Sequence, residues 1–95
     1  MRYKKINYSD ESKLAIKSFI DTVARNDTRA AKNYKAEFTK TVNNLLIFPN
    51  MGKKHNDKYR RIRYNKHWVF YSLNEADKII QVHYIRHTSQ DDLKD

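Results

Sequence analysis

The residues best suited to chemistry in this chain are cations and aromatic rings crowded between residues 53 and 68. The basic residues there are Lys53, Lys54, Lys58, Arg60, Arg61, Arg63 and Lys66. Tyr59, Tyr64, His67 and Trp68 are interleaved with them, and Asp57 is the one acid in this segment. Guanidinium groups bind phosphates and carboxylates, and aromatic rings can stack on bases. The segment therefore predicts contact with a polyanion.

Arg61 and Arg63 are expected to act as a pair. Successive side chains of a strand point to opposite faces, so Arg61 and Arg63 share one face while Arg60 and Ile62 share the other. Ile62 is expected to face the core, which would leave the two guanidinium groups side by side on the outside. A solvated basic face without a partner is the alternative interpretation. Trp68 is expected either to be a half-buried sheet residue or to stack on a base.

The histidines predict no metal site. His83 and His87 are four residues apart, a spacing that suits two ligands on a helix, but here they lie on or beyond a predicted strand. The chain has no cysteine and no glycine-rich phosphate loop. We therefore expect neither a metal nor another cofactor. His87 remains a candidate general acid or base.

Composition limits the kind of protein that these residues can serve. A length of 95 residues predicts one domain, residues 1–95, and the net charge of +9 favours nucleic acid or another polyanion as partner. The first residues contain no apolar segment of the kind found in signal peptides. No apolar run approaches the roughly 20 residues that span a bilayer, so no membrane contact is expected and the expected location is the cytoplasm.

Two helices are predicted before the basic segment. Ser9 or Asp10 can cap the first, whose apolar stripe lists Ile16, Phe19, Ile20 and Val23. Asp27 or Thr28 can cap the second. That helix is expected to continue to about Phe48, where Pro49 prevents further turns.

The remaining segments read as strands. Residues 2–8 predict a short first strand, and residues 58–64, 68–73 and 79–85 are rich in aromatic and β-branched residues at a period of two. The predicted fold is α+β: an N-terminal strand, a helical hairpin, then a three-stranded antiparallel segment. Both helices are expected to pack on one face of a mainly antiparallel sheet.

This order resembles the RelE/ParE toxin superfamily over nearly the whole chain. The matching pieces are INYSDESKLAIKSFIDTVA, RAAKNYKAEFTKTVNNLLIFPNMG, KYRRIRYNKHWVFYSL and IIQVHYIRHTSQDDL. Such toxins are short basic proteins made beside an antitoxin that wraps them. The resemblance therefore implies a cognate antitoxin as partner and a toxin–antitoxin hetero-oligomer, with the antitoxin in the groove between the helical hairpin and the sheet.

The superfamily divides by target, and this chain is more similar to the ParE branch. RelE-like members cut mRNA in the ribosome with scattered Arg and Lys residues, whereas ParE-like members poison DNA gyrase. A catalytic arginine of the RelE pattern falls at Trp68 here, and the next is replaced within Thr88-Ser89-Gln90. The segments KHWVFY and YIRHTSQDD look closer to ParE, although that branch often has arginine near Gln90.

The resemblance thus implies a non-enzymatic toxin that inhibits growth by poisoning DNA gyrase. The alternative is a ribosome-dependent mRNA endoribonuclease, and a second alternative is a non-toxic nucleic-acid-binding module. For catalysis the candidates are Arg61, Arg63 and His87, with Arg60 and Lys66 in a wider alternative set. For target binding the candidates are Arg60, Arg61, Arg63, Lys66, Trp68, His87 and Gln90.

Overall fold

The computed structural model describes residues 2–88, which fold into two helices and five strands. The elements in chain order are β1 (Lys5–Tyr8), α1 (Asp10–Asn26), α2 (Thr28–Asn43), a 3-10 turn (Asn44–Leu46), β2 (Lys53–Lys54), β3 (Arg60–Tyr64), β4 (His67–Asn74) and β5 (Ile79–His87). Within these residues no helix is long and apolar enough to cross a membrane.

The strands form one mixed sheet in the order β1-β5-β4-β3-β2. β1 runs parallel to β5, and the other three pairings are antiparallel. The predicted α+β fold, with two helices on one face of a mainly antiparallel sheet, is confirmed. The short strand β2 was not predicted, because two residues are too few to show an alternating pattern.

Side-chain caps fix where the helices begin. The Ser9 hydroxyl accepts a hydrogen bond from the backbone N–H of Ser12 at 3.1 Å and donates to the carbonyl of His83 at 2.6 Å, which ties α1 to β5. Asp27 accepts from the first N–H groups of α2, those of Arg29 and Ala30. The second helix ends earlier than predicted. Its last turn tightens into the 3-10 turn, and an irregular loop then leads to Pro49.

The core lies between the helical hairpin and one face of the sheet, here called the helix face. Its fully buried side chains include Phe38, Val42, Leu45, Val69, Tyr71, Ile80 and Val82. Each such apolar side chain contributes roughly 1.5–3 kcal/mol when removed from water. Ile62 joins this core at 7% exposure, as its position in the strand predicted. The opposite face of the sheet, called the outer face, carries the residues next to Ile62 in the sequence.

Candidate functional site

The outer face collects side chains from three neighbouring strands at matching positions. Arg63 pairs with Trp68 across β3 and β4, and Trp68 pairs with Arg86 across β4 and β5. One step along, Arg61 pairs with Phe70, which in turn pairs with Tyr84. Directly opposed residues share a face of the sheet. The structure therefore brings the predicted arginine pair together with Trp68, and adds Arg86 and Tyr84 to them.

Trp68 serves as the platform for both arginines. The guanidinium carbon of Arg61 lies 4.4 Å from the centre of the Trp68 ring, and that of Arg63 lies 5.8 Å from it. Attraction between a cation and an aromatic ring holds such groups flat against the surface. The Nε atom of Arg61 is buried and has no hydrogen-bond partner, whereas Nε of Arg63 donates to the carbonyl of Asn65 at 2.9 Å. Both side chains are thus positioned before any ligand arrives.

Further aromatic rings extend this platform. Phe70 stacks on Tyr84 with centroids 4.7 Å apart, and Arg86 lies 4.8 Å from the Tyr84 ring centre. Tyr59 contacts both Tyr84 and His83, at 5.6 and 4.8 Å between ring centroids. Phe70 is 1% exposed, so these rings form a closely packed layer beneath the cations.

The electrostatic character of the sheet is uniform. None of the five strands contains an aspartate or glutamate, while cations occur on β1, β2, β3 and β5. On the outer face, Lys53 of β2 is the cross-strand neighbour of Arg61. With no carboxylate on the strands to neutralise them, these cations produce a positive potential over the outer face.

Arg60 does not belong to this face. It alternates with Arg61 and lies on the other side of the strand, where its guanidinium donates to the carbonyl of Gly52 at 2.8 Å. The same loop is held by Tyr71, whose hydroxyl donates to the carbonyl of Pro49 and accepts from the N–H of Gly52. Arg60 was predicted to bind the target together with Arg61 and Arg63. Its observed partners instead anchor the loop over residues 49–52.

His87 is also separated from the arginine pair. It lies opposite His67 across β4 and β5, and their ring centroids are 5.3 Å apart. The His67 ring lies 4.5 Å from that of Phe19 and its Nδ1 is 3.3 Å from the hydroxyl of Tyr34, so this pair belongs to the helix face. Burial, reinforced by His87, lowers the pKa of His67 below its ordinary value of 6.5. The sheet therefore stands between His87 and Arg61.

The other predicted site residues fall at the end of the β3–β4 hairpin. Lys66 is exposed in the turn, and its carbonyl accepts from the N–H of Thr88 at 2.8 Å. Trp68 is half-buried beneath the two guanidinium groups, as one of its two predicted environments required. Gln90 lies outside the described residues.

A β-bulge brings His83 to the outer face of the sheet. The pairing of β4 with β5 shifts between Phe70 and Tyr71, so His83 has no direct partner and turns to the outer face. There its Nε2 lies 2.7 Å from the hydroxyl of Ser72, and burial lowers its pKa below 6.5. No signal in the sequence marks this bulge. Among residues 2–88, no group of three or more His, Cys, Asp or Glu side chains could hold a metal ion.

A second surface feature lies at the far end of α2. Ile47, Phe48 and Met51 are 47%, 62% and 49% exposed and line an open groove of about 660 Å³ together with Tyr3 and Leu73. Exposed apolar patches of this kind commonly mark contact sites for other proteins. This surface, here called the apolar groove, was not predicted, because its residues were assigned to the end of a helix and a turn.

Comparison with known proteins defines the class and then the family. The fold is similar to that of RelE in the archaeal RelE–RelB complex from Pyrococcus horikoshii OT3, at 17% identity and a TM-score of 0.55, covering 95% of this chain and 99% of that one. This is a small α+β protein with the RelE fold. Residues 6–92 match the family model of the ParE toxin of the type II toxin–antitoxin system parDE. The chain therefore belongs to the ParE toxin family. No curated protein matches the sequence significantly.

Proposed function

We propose that this ParE-family toxin inhibits growth by poisoning DNA gyrase, and that it does so by docking rather than by catalysis. The observation that carries the proposal is the division of the candidate residues between two faces of the sheet. Arg61 and Arg63 lie on the outer face, and His87, the predicted proton-transfer group, lies on the helix face beside His67. A general acid or base must come within hydrogen-bond reach of the reacting group. The arginine pair is thus separated from the predicted proton-transfer group, His87, and a positioned cationic face of this kind suits binding.

The proposed action requires no chemical step by the toxin. Arg61 and Arg63 are held flat by Trp68 and present their outer nitrogens to a partner. Binding to the cleaved gyrase–DNA intermediate more tightly than to the resealed one would shift the population toward breaks. Strand breaks would then accumulate although the toxin forms and breaks no bond.

The cognate antitoxin is proposed to bind the apolar groove with an amphipathic segment and to neutralise the basic surface with acidic residues. Phe48 is the most exposed member of the groove, at 62%, and the chain carries a net charge of +9. An apolar anchor within a charged rim is the usual anatomy of a protein interface. The toxin is expected to be stable in cells as a hetero-oligomer with this antitoxin.

The test measures trapped gyrase–DNA complexes. Purified gyrase, supercoiled plasmid and the toxin are incubated, and linear DNA released by detergent and protease is quantified. We expect that at least about tenfold more of the R61Q/R63Q variant is needed to give the same amount of linear DNA, which corresponds to a loss of about 1.4 kcal/mol in binding free energy. The K32Q/K35Q variant removes the same charge from exposed positions on α2 and should act like the parent. Linear DNA that does not increase with the parent toxin would contradict the proposal.

A ribosome-dependent mRNA endoribonuclease is the second candidate, and one observation favours it. His83 and Tyr59 lie on the outer face with 4.8 Å between their ring centroids, and the pKa of His83 is lowered by burial. An imidazole on the same face as the arginine pair could accept a proton while the arginines stabilise charge at a phosphate. Mapping of new mRNA 5′ ends after induction distinguishes the two functions. Cuts phased to codons that vanish in H83Q would favour the ribonuclease.

A further inference from the structure

We propose that the outer face binds the sugar-phosphate backbone of duplex DNA directly, independently of base sequence and without gyrase. The inference rests on the proposed function and deepens it, because it names the component of the gyrase–DNA complex that this face contacts. An acidic surface of gyrase itself is the competing partner.

The state of Arg61 points to phosphate as the ligand. Its Nε is sealed against the sheet without a hydrogen-bond partner, and its guanidinium lies 4.4 Å from the Trp68 ring centre. The remaining donors, on the two terminal nitrogens, are therefore those that can reach a ligand. Two parallel N–H groups at one edge match two oxygens of a phosphate. Arg63 stands over the same ring at 5.8 Å, so a second guanidinium is close by.

The aromatic rings argue against recognition of unpaired bases. Base stacking requires an open ring face. On the outer face, the Trp68 ring is covered by guanidinium groups, and Phe70 is 1% exposed because Tyr84 and His55 pack on it. The rings thus support the cations and leave little surface for a base. A ligand with its bases paired and its phosphates outward fits this arrangement better than a single strand.

The distribution of charge favours DNA over an acidic protein. Cations on the outer face come from both edges of the sheet. Ile6 is partly buried against the core, so by alternation Lys5 of β1 points outward, while Lys53 lies on β2 at the other edge. Five adjacent strands at about 4.8 Å spacing place these edges roughly 19 Å apart. Duplex DNA carries one negative charge per about 1.7 Å of axis, so it can offer phosphates to cations spread over this distance. Separate carboxylates of a protein would have to match each cation individually.

The experiment measures fluorescence anisotropy of a labelled duplex of about 20 base pairs titrated with the purified chain, at several salt concentrations. Four neutralised phosphates would give a slope of log K against log salt near −3.6, since each phosphate contributes about −0.9. In R61Q/R63Q the slope should become less steep by about two such contributions, and the affinity for the duplex should fall at least about tenfold at low salt. The R61K/R63K variant keeps the charge, so it should retain most of the slope while losing the fork geometry.

The matched control is K32Q/K35Q, which removes two positive charges from exposed positions on α2. It should bind duplex DNA within about threefold of the parent, as expected if binding is local to the outer face. Circular dichroism and thermal unfolding verify that all variants are folded. Should R61Q/R63Q misfold, the single variants R61Q and R63Q carry the test, since each should reduce the magnitude of the slope by about one such contribution while K32Q/K35Q does not.

Three results would overturn the inference. Equal losses in K32Q/K35Q and R61Q/R63Q would mean attraction by net charge alone. Tighter binding to single-stranded RNA than to duplex DNA would assign the face to another nucleic acid. No duplex binding, with gyrase still trapped on DNA, would leave the proposed function intact and move the contact to protein. If gyrase is not trapped but duplex binding follows the predicted variants, the proposed function fails and this inference stands.

Discussion

Replacing Gly52 with alanine should destabilise the protein, because the loop that contains it leaves no room for a β-carbon. A carbon built at that position would lie 2.6 Å from the carbonyl oxygen of Arg61, 2.6 Å from the Tyr71 hydroxyl and 2.9 Å from the Tyr71 ring. No glycine among the described residues has a positive φ, so the need for glycine here is steric and does not reflect an unusual backbone. The backbone oxygen belongs to β3 and can move only if that strand moves.

The expected cost combines two effects. Forcing a methyl group into a filled site costs about 1–3 kcal/mol. The hydrogen bond from the Gly52 N–H to the Tyr71 hydroxyl, 3.0 Å in length, is weakened when the loop is pushed away. This loss costs about a further 0.5–1.5 kcal/mol. A total of roughly 2–4 kcal/mol corresponds to a fall in Tm of about 10–25 °C for a chain of this size.

The assay is thermal and chemical unfolding of G52A, Y71F and G52A/Y71F beside the parent. Y71F removes the hydroxyl but leaves the clash with the Arg61 carbonyl, so the double variant should not recover the stability lost in G52A. N50A is the control, since the Asn50 side chain is exposed, and it should change stability by no more than about 0.5 kcal/mol. A G52A protein as stable as the parent would refute the reasoning, because it would mean that the strand carbonyl yields without cost.

The remaining predictions concern one residue each. The folded protein holds the pKa of His67 below 6.5, so the contribution of this residue to stability should be complete above about pH 6.5 and be lost as the pH falls through the lowered value. Between pH 7.5 and 5, the Tm of H67Q should therefore fall less than that of the parent. Equal falls in Tm would contradict this. R60M should lower the free energy of unfolding by about 1–3 kcal/mol in a urea titration, because it leaves the carbonyl of Gly52 without its donor. The folded fraction of R60M should still trap gyrase like the parent, as measured by linear DNA. F48S should leave the Tm within about 2 °C of the parent yet weaken antitoxin binding at least tenfold or so in calorimetry, whereas undiminished binding would place the antitoxin elsewhere.

Local chemistry made most of the fold predictable. Ser9 and Asp27 are N-caps because their side chains satisfy the first N–H groups of a helix, and this depends only on neighbouring residues. Ile62 faces the core because a strand alternates, and the same alternation placed Arg61 and Arg63 together outside. The end of α2 was less predictable, because Pro49 sets only the furthest residue that the helix could reach.

The composition of the candidate site depended on pairings that are remote in sequence. Arg60 is as basic as Arg61, and only the position of the loop over residues 49–52 reveals that its guanidinium has backbone carbonyls to bind. His87 was grouped with Arg61 and Arg63 as a candidate catalytic residue. Its face is fixed by its pairing with His67, which depends on the register between β4 and β5. A shift of one residue in that register would have exchanged the faces.

The bulge in β5 bears on both proposed functions, because it determines which face of the sheet His83 occupies. In a regular strand, where side chains alternate, Tyr84 on the outer face would place His83 on the helix face. The shift at Phe70 and Tyr71 puts His83 and Tyr84 on the outer face together, so the His83 imidazole lies on the same face as the arginine pair. Its Nε2 is engaged by the Ser72 hydroxyl at 2.7 Å, and its ring packs on Tyr59. These contacts give His83 a structural role in joining β4 to β5 and to the loop before β3. Docking needs the imidazole only for that role, whereas RNA cleavage needs its proton. H83Q, which can keep a hydrogen bond to Ser72, should consequently retain gyrase trapping if docking is the function and lose all activity if cleavage is.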